Sequence, residues 1–508
     1  MQTGLDRRTF LARAAVASGG LMSMGALERL LTRDAFAHGN RAQPYGPLRR
    51  TKDQRGVEVL ALPAGFSYVT FSHTGSTMSD GNPTPLALDG MGAFANPKRR
   101  GHGHGHGHDD HLVRLVRNSE DRNPAGTPGG LLGDRSKAYD PTGYGGTSTL
   151  VFDERRQRLV EDFVSLNGTV VNCAGGIAYR HRYWLTGEET VGGPEATDPN
   201  ARFAKRHGYL FQTPVDRDAN ELRPGTPLTA AGRFSHEAAA VDQRTGIVYE
   251  TEDPGSGVGA GFYRYTPNNP DDLTRGGKLE MLAVTGRPNV DLRQGQTRGA
   301  RLPVSWVRID NPDPPLTSIA DPKSTFNQGW AKGAAKFNRL EGCWEDDSTI
   351  FFVSTSGGNA KNGDVNSDGY QEGFGQVWAY RPERHGGGTL MLVYESSSAT
   401  ELDSPDNLTV TPRGGLIACE DDASSAIVDT HPLAPGIENV NRLIGITQRG
   451  QAFELAVNVL NSSELAGVCF SPSGRTLFFN LFGRATFAEG PVEGMTCAVT
   501  GPWHRGPL

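Results

Sequence analysis

The sequence predicts an all-β protein, a six-bladed β-propeller with long loop insertions, on three observations. Short β-branched and aromatic runs are broken by turn residues, a strand–turn–strand unit recurs along the chain, and acids stand in register within that unit. Among 508 residues, 66 are Gly and 32 are Pro, a composition of many turns rather than long helices. A formal charge of −6 argues against nucleic acid as the main partner, because a phosphate backbone demands a basic surface. The 5 cysteines are an odd number without a CxxC pair, which speaks against a disulfide framework and leaves at least one thiol for another use.

The elements follow in chain order. Asp6-Arg7-Arg8-Thr9-Phe10-Leu11 is a twin-arginine pattern, a weakly apolar stretch runs from Ala14 to Ala26, and Ala35-Phe36-Ala37 offers a small-x-small cleavage site. Residues 1–37 therefore read as an export signal, with the twin-arginine translocase as partner, a periplasmic or extracellular destination, and no stable membrane anchor, since the stretch is too short to span. Residues 38–508 read as one propeller domain. Within it Thr147–Phe152, Arg158–Leu166, Gly208–Thr213, Gly375–Tyr380 and Leu390–Tyr394 have strand character, and a Pro/Gly/Arg-rich insertion is expected at about 266–330.

The repeat is visible when segments are stacked on one another. The same interval separates Cys173 from Glu188, Glu237 from Glu252, Glu341 from Ser356 and Asp406 from Asp421, each pair spanning two apolar strands and a polar turn. A fifth copy, Leu465–Leu481, keeps the spacing but lacks the acids, with Glu464 just before it. A sixth runs from Asp89 to Glu120, swollen by a histidine-rich loop. Repeat starts lie roughly 60 to 65 residues apart outside the insertion, the length of a four-stranded blade with its loops. The first strand of each blade borders the central channel, so ligands repeated in register converge on one axis. Carboxylates gathered there repel one another unless a cation joins them. Hard oxygen donors suit calcium, magnesium or ferric iron, whereas a thiolate in the slot that acids fill elsewhere, Cys173, favours a redox-capable metal.

Several stretches resemble the PhoX family of calcium-dependent alkaline phosphatases. They are Asn172-Cys173-Ala174-Gly175-Gly176 with Leu185-Thr186-Gly187-Glu188-Glu189, Arg233-Phe234-Ser235-His236-Glu237-Ala238, Arg339-Leu340-Glu341, Ser404-Pro405-Asp406-Asn407-Leu408 and the run Cys469–Phe478. The resemblance implies an axial site of iron and calcium that hydrolyses phosphate esters. It places Cys173, Glu188, Glu189, Glu237, Glu341 and Asp406 on the metals, and Arg339 in the phosphate pocket as the catalytic cation. The repeat adds Glu252, Asp89 and Glu120 to the candidate ligands. Two departures stand out: Ala178-Tyr179-Arg180 where the family often has Thr-Pro-Trp, and Leu481-Phe482-Gly483 after Asn480. No G-x-S-x-G elbow is present, so a serine nucleophile is not expected.

Two other classes of function stay open at this point: a non-catalytic, metal-stabilised binding propeller and a calcium-dependent lactonase-type propeller. Three further features invite a metal or phosphate reading. The His102, His104, His106, His108 and His111 tract could bind transition metals, Asp364–Gly369 reads like half of a calcium loop, and Gly255–Gly261 fits a connector over the channel better than a phosphate loop.

Overall fold

Each short strand is too narrow to bury both faces alone, and the chain answers by folding consecutive strands into small antiparallel sheets that pack face to face. A computed structural model describes residues 43–508 apart from 98–110, 128–131, 256, 258, 316–323, 384–385, 423–430 and 434–435. The expected export signal and His102 to His108 lie outside the described residues, as do Ser256 and Val258 of the glycine-rich stretch.

Blade 1 is Leu88–Ala95, Leu112–Ser119, Gly145–Asp153 and Arg158–Thr169. Blade 2 has Asn172–Ile177, Tyr183–Glu188 and Leu210–Pro214, and blade 3 has His236–Val241, Val248–Glu252, Phe262–Pro267 and Gly277–Val284. Blade 4 is Leu340–Asp346, Thr349–Ser354, Gln376–Pro382 and Gly388–Glu395, and blade 5 is Pro405–Val410, Leu416–Glu420, Arg442–Ile446 and Ala452–Asn458. Blade 6 supplies Leu465–Phe470, Thr476–Leu481 and Met495–Thr500, and its fourth strand is Ser67–Phe71 from the other end of the chain. The first strands of the six blades pack each against the next, and that of blade 6 returns to that of blade 1, so the ring closes. Pairing of Thr496 with Phe71 through Thr500 with Ser67 ties the two chain ends together in one sheet. Buried Arg117 reinforces this seam by donating to the Thr496 and Ser72 hydroxyls at 2.7 and 3.1 Å.

Between blades the core is aromatic and aliphatic. Phe262 of blade 3 stacks on Phe352 of blade 4 at 4.2 Å, and Phe152 of blade 1 meets Phe478 of blade 6 edge-on at 5.2 Å. Burying one such ring contributes about 1.5–3 kcal/mol. The stretch expected to be an insertion is partly blade: Gly277–Val284 completes blade 3, and Arg301–Arg308 pairs with it on one side and with Gly388–Glu395 on the other, lacing blades 3 and 4 at the rim. Most of its described prolines and glycines sit in loops, although Pro267, Gly277 and Pro303 lie in strands, and composition alone hid those strands.

One backbone device positions the site. Every first strand has a register break directly after its opening residue or two, between Leu88 and Met91, Asn172 and Gly175, His236 and Ala239, Leu340 and Cys343, Pro405 and Leu408, and Ala466 and Cys469. A bulge leaves residues unpaired and re-aims their side chains. Asp89, Cys173, Glu237, Glu341 and Asp406 all sit in these bulges. Two residues before the ligand, Ala87, Val171, Arg339 and Ser404 adopt φ of 52°, 47°, 38° and 43°. That left-handed backbone costs a residue with a Cβ about 1–2 kcal/mol, so the surrounding hydrogen bonds must hold it. They do so in sixfold repetition: the N–H groups of Glu120, Glu189, Asp253, Thr355, Asp421 and Phe482 donate to the carbonyls of Ala87, Val171, Ser235, Arg339, Ser404 and Glu464. Close approach of neighbouring bulges also demands small residues, for a Cβ on Gly90 would lie 2.4 Å from the Cα of Ala174.

Candidate metal centre

The six hydrogen bonds define which residues are structurally equivalent, and hence which face the axis. The first ring is Asp89, Cys173, Glu237, Glu341, Asp406 and Ala466. The second ring is Glu120, Glu189, Asp253, Thr355, Asp421 and Phe482, each carried at the end of a blade's second strand. Ligand atoms of Asp89, Glu120 and Cys173 lie within 4.8 Å of one another, as do those of Cys173, Glu189 and Glu237, of Glu189, Asp253 and Glu341, and of Glu237, Glu341 and Asp406. The groups share members, so they form one continuous centre. Blade 6 has Ala466 and Phe482 in both slots, and Glu464, from the position that Arg339 holds in blade 4, takes their place close to Asp421, Glu120 and Asp89.

Electrostatics show how poorly the protein alone satisfies these acids. Among the described residues, both carboxylate oxygens of Glu237, which is fully buried, and Oδ1 of Asp89 have no hydrogen-bond partner. Burial, followed by the charges of neighbouring acids, drives the pKa of Asp89, Glu237 and Glu464 well above the carboxylate range. Burial and then Asp421 and Glu120 push Asp406 up to about 8, against an opposing hydrogen bond from Asn407. The Cys173 thiol is raised by burial and then by Asp89, whose Oδ2 accepts its hydrogen at 3.1 Å. Asn118 fixes this strand by donating to the carbonyls of Cys173 and Ala174 at 2.9 and 2.8 Å, while its own oxygen accepts from Trp184.

Two arginines are set among the acids. Arg339 donates through Nε and Nη2 to Asp253 at 3.2 and 2.7 Å, and Nη2 also lies 3.0 Å from Glu341. Arg122, which the sequence reading did not single out, bridges Glu120 and Glu189. Two guanidiniums cannot neutralise the two rings of carboxylates. The donor set, the orphaned oxygens and the buried thiol therefore fit multivalent cations, with oxygen donors for hard ions and one sulfur for a softer one.

Not every expected ligand is available for this. Glu188 is committed elsewhere: its oxygens accept from Val170 N at 3.1 Å, His207 Nδ1 at 2.6 Å, Gly208 N at 2.8 Å and Tyr209 N at 3.2 Å. Glu252 accepts from Gly261 N at 2.9 Å and the Tyr263 hydroxyl at 2.7 Å. Their neighbours Glu189 and Asp253 take the axial places. The equal sequence interval led one residue astray because the hairpins differ in length: Asn172 pairs with Glu188 and His236 with Glu252, whereas Leu340 pairs with Ser354 and Pro405 with Glu420. Asp253 was passed over for this reason; the interval ends on Asp421, which was not taken as a site residue, and Glu464 and Arg122 lie outside the repeated positions. All five cysteines are buried and unbridged. In the half calcium loop the two aspartates diverge: Asp368 pairs with Arg293 at 2.7 Å and Asp364 with His431 at 3.5 Å.

A closed propeller whose axis gathers buried acids, a thiol and two arginines is a protein built around a multivalent-cation centre. The chain belongs to the alkaline phosphatase PhoX family, whose model matches residues 43–483, and it is a metal-dependent phosphatase. Pseudomonas fluorescens PhoX, solved in complex with vanadate, a transition-state analogue, has a TM-score of 0.63 and 18% identity over 91% of this chain and 98% of its own. A gluconolactonase from Xanthomonas campestris has a TM-score of 0.33 and 12% identity, covering 76% of this chain and 95% of its own, too remote to carry an argument. No curated protein matches the chain. Among the described residues no helix is long and apolar enough to cross a membrane.

Proposed function

We propose that the chain is an exported phosphatase that hydrolyses phosphate esters at an axial cluster of iron and calcium. The observation that carries this reading is the buried, partnerless Glu237 carboxylate beside Cys173, Glu341 and Asp406. Cys173 with Glu189, Glu237, Asp89 and Glu120 would hold iron, and Glu341, Asp406, Asp253 and Asp421 offer the all-oxygen surroundings that calcium takes. When bound, these ions neutralise phosphate charge and lower the pKa of a coordinated water.

The chain's own residues supply the remaining requirements. Phosphoryl transfer asks the protein for positioning and for charge on the equatorial oxygens. Arg339 is held at the ring by Asp253 and Glu341 through Nε and Nη2, and Nη1, which has no hydrogen-bond partner among the described residues, would be available to donate to a phosphate oxygen. Arg122, anchored on Glu120 and Glu189, offers a second cation across the ring. The bulged strands fix these groups before substrate arrives, so little reorganisation is needed on binding. Export by the twin-arginine route suits a protein that acquires its metals while folding. Replacing Arg7 and Arg8 together by Lys should leave uncleaved precursor in the cytoplasm.

Protein loaded with iron and calcium should release phosphate from p-nitrophenyl phosphate at alkaline pH. A full metal complement with no turnover of any phosphate ester would defeat the catalytic assignment.

A further inference from the structure

Beside the axial rings, blade 5 gathers a separate group of donors. Asp403 precedes its first strand, Asp422 follows its second strand, and His431 lies farther along the same connection. Their ligand atoms lie within 4.8 Å of one another, with His431 Nδ1 3.3 Å from Asp422 Oδ1 and 3.6 Å from Asp403 Oδ2. In a tetrahedral site with bonds of about 2.0–2.1 Å, neighbouring ligand atoms stand about 3.3 Å apart, so the spacing is that of a coordination edge. The second observation is Asp403 itself. It is 1% exposed, its Oδ1 accepts from the Ser404 hydroxyl at 3.2 Å, and its Oδ2, aimed at the group, accepts no hydrogen bond among the described residues.

Asp364 completes the arrangement from blade 4. Its Oδ2 lies 3.5 Å from His431 Nε2, the nitrogen away from the two aspartates. With a metal bound, a carboxylate at that ion-pair distance would favour the Nε2–H tautomer and leave the Nδ1 lone pair for the metal, as carboxylates behind metal-bound histidines do. Phe374 packs edge-on to the imidazole at 5.9 Å and limits its rotation. Asp422 is steadied through its backbone N–H, which donates to Asn441 at 2.9 Å.

We propose that His431 Nδ1 and one oxygen each of Asp403 and Asp422 bind a single divalent transition-metal ion, with Asp364 as the residue that orients the ring. A nitrogen donor beside two carboxylates selects zinc, manganese or ferrous iron over calcium and magnesium, which take oxygen. The rival arrangement is a protonated imidazole held among the carboxylates without a metal.

The test uses Co2+ as the probe, titrated into the full chain after chelation. Beyond cobalt taken up by the Cys173 axis, with its sulfur charge-transfer band, and by the histidine tract, the expected result is one further equivalent with the visible absorption of four-coordinate cobalt, retained in Cys173→Ser and lost in His431→Ala. Asp364→Asn should keep the absorption and weaken cobalt binding about 10- to 100-fold. Survival of that further equivalent's absorption in His431→Ala, or its disappearance in Cys173→Ser, overturns the proposal. Should His431→Ala fail to fold, Asp364→Asn decides, and unchanged cobalt affinity in that variant overturns it as well.

Discussion

Two clusters of buried acids in this molecule behave in opposite ways. Where blades 1 and 2 meet, Glu188 and Asp140 enclose His207, and every charge has a partner: His207 reaches Glu188 at 2.6 Å and Asp140 at 3.3 Å, and backbone N–H groups complete the Glu188 carboxylate. At the axis, Glu237 has none among the described residues, and its neighbours are mostly further acids. The two clusters lie one residue apart in sequence, at Glu188 and Glu189. The comparison teaches that burial of an acid does not mark a ligand, and that a shortage of internal donors does so only where several acids converge, since Glu250, buried with neither oxygen hydrogen-bonded among the described residues, stands outside the rings beside His236. The His207 cluster completes itself during folding, whereas the axial one is completed by something from solution.

The sharpest way to break this contrast is to remove axial donors. Cys173→Ala and Glu237→Gln should each lower phosphatase kcat/KM by at least about 100-fold and reduce bound metal, iron first for Cys173→Ala. Elemental analysis beside p-nitrophenyl phosphate assays checks this, and Glu188→Gln should keep its metal. Arg339→Lys, which loses the planar fork but keeps the charge, should cost about 100-fold in activity with metal content intact.

Next in size is His207→Gln, which leaves two buried carboxylates without their cation and should cost about 3 kcal/mol of unfolding free energy while sparing bound iron. The pH dependence has a definite sign. Burial disfavours the charged ring, but Glu188 and Asp140 outweigh it and raise the His207 pKa to about 9. A raised histidine stabilises the fold fully below about pH 6.5, and that stability is lost as pH rises through about 9. Chemical denaturation across this range should show the loss in the parent and not in His207→Gln.

Metal removal reads the axial cluster in the same terms. Asp406, pushed up to about 8 by burial and by Asp421 and Glu120, holds its proton in the folded metal-free chain but not in the unfolded one. The stripped protein should therefore lose stability steadily from about pH 4 to about pH 8, and added metal should abolish the trend. A stripped protein with a flat profile would remove the axis from the comparison. The smallest expected effect is Ala87→Gly, which relieves a φ of 52° and should add up to about 1 kcal/mol without changing bound metal.

How much of this was legible in the chain can be argued from particular residues. Cys173, Glu237, Glu341 and Asp406 could be found because each opens a short apolar strand, and strand periodicity survives in any sequence that folds this way. Glu189 was found beside the misassigned Glu188, but Asp253 was passed over for Glu252. A two-residue alternation inverts whenever a hairpin gains or loses one residue, and no local pattern records that change. Blade 6 hid Glu464 because its acid enters from the position before the bulge.

By itself the sequence determined an all-β ring of repeated units with acids and one thiol in a common register, because side-chain alternation and turn chemistry are local properties. Only the tertiary structure decided which member of each acidic pair reaches the axis, that Ser67–Phe71 closes blade 6, and that Arg122 and Arg339 stand among the carboxylates. Those outcomes depend on bulges, on left-handed residues such as Val171, and on contacts between segments hundreds of residues apart. Such long-range geometry is set by packing, and packing has no signature in any short stretch of chain.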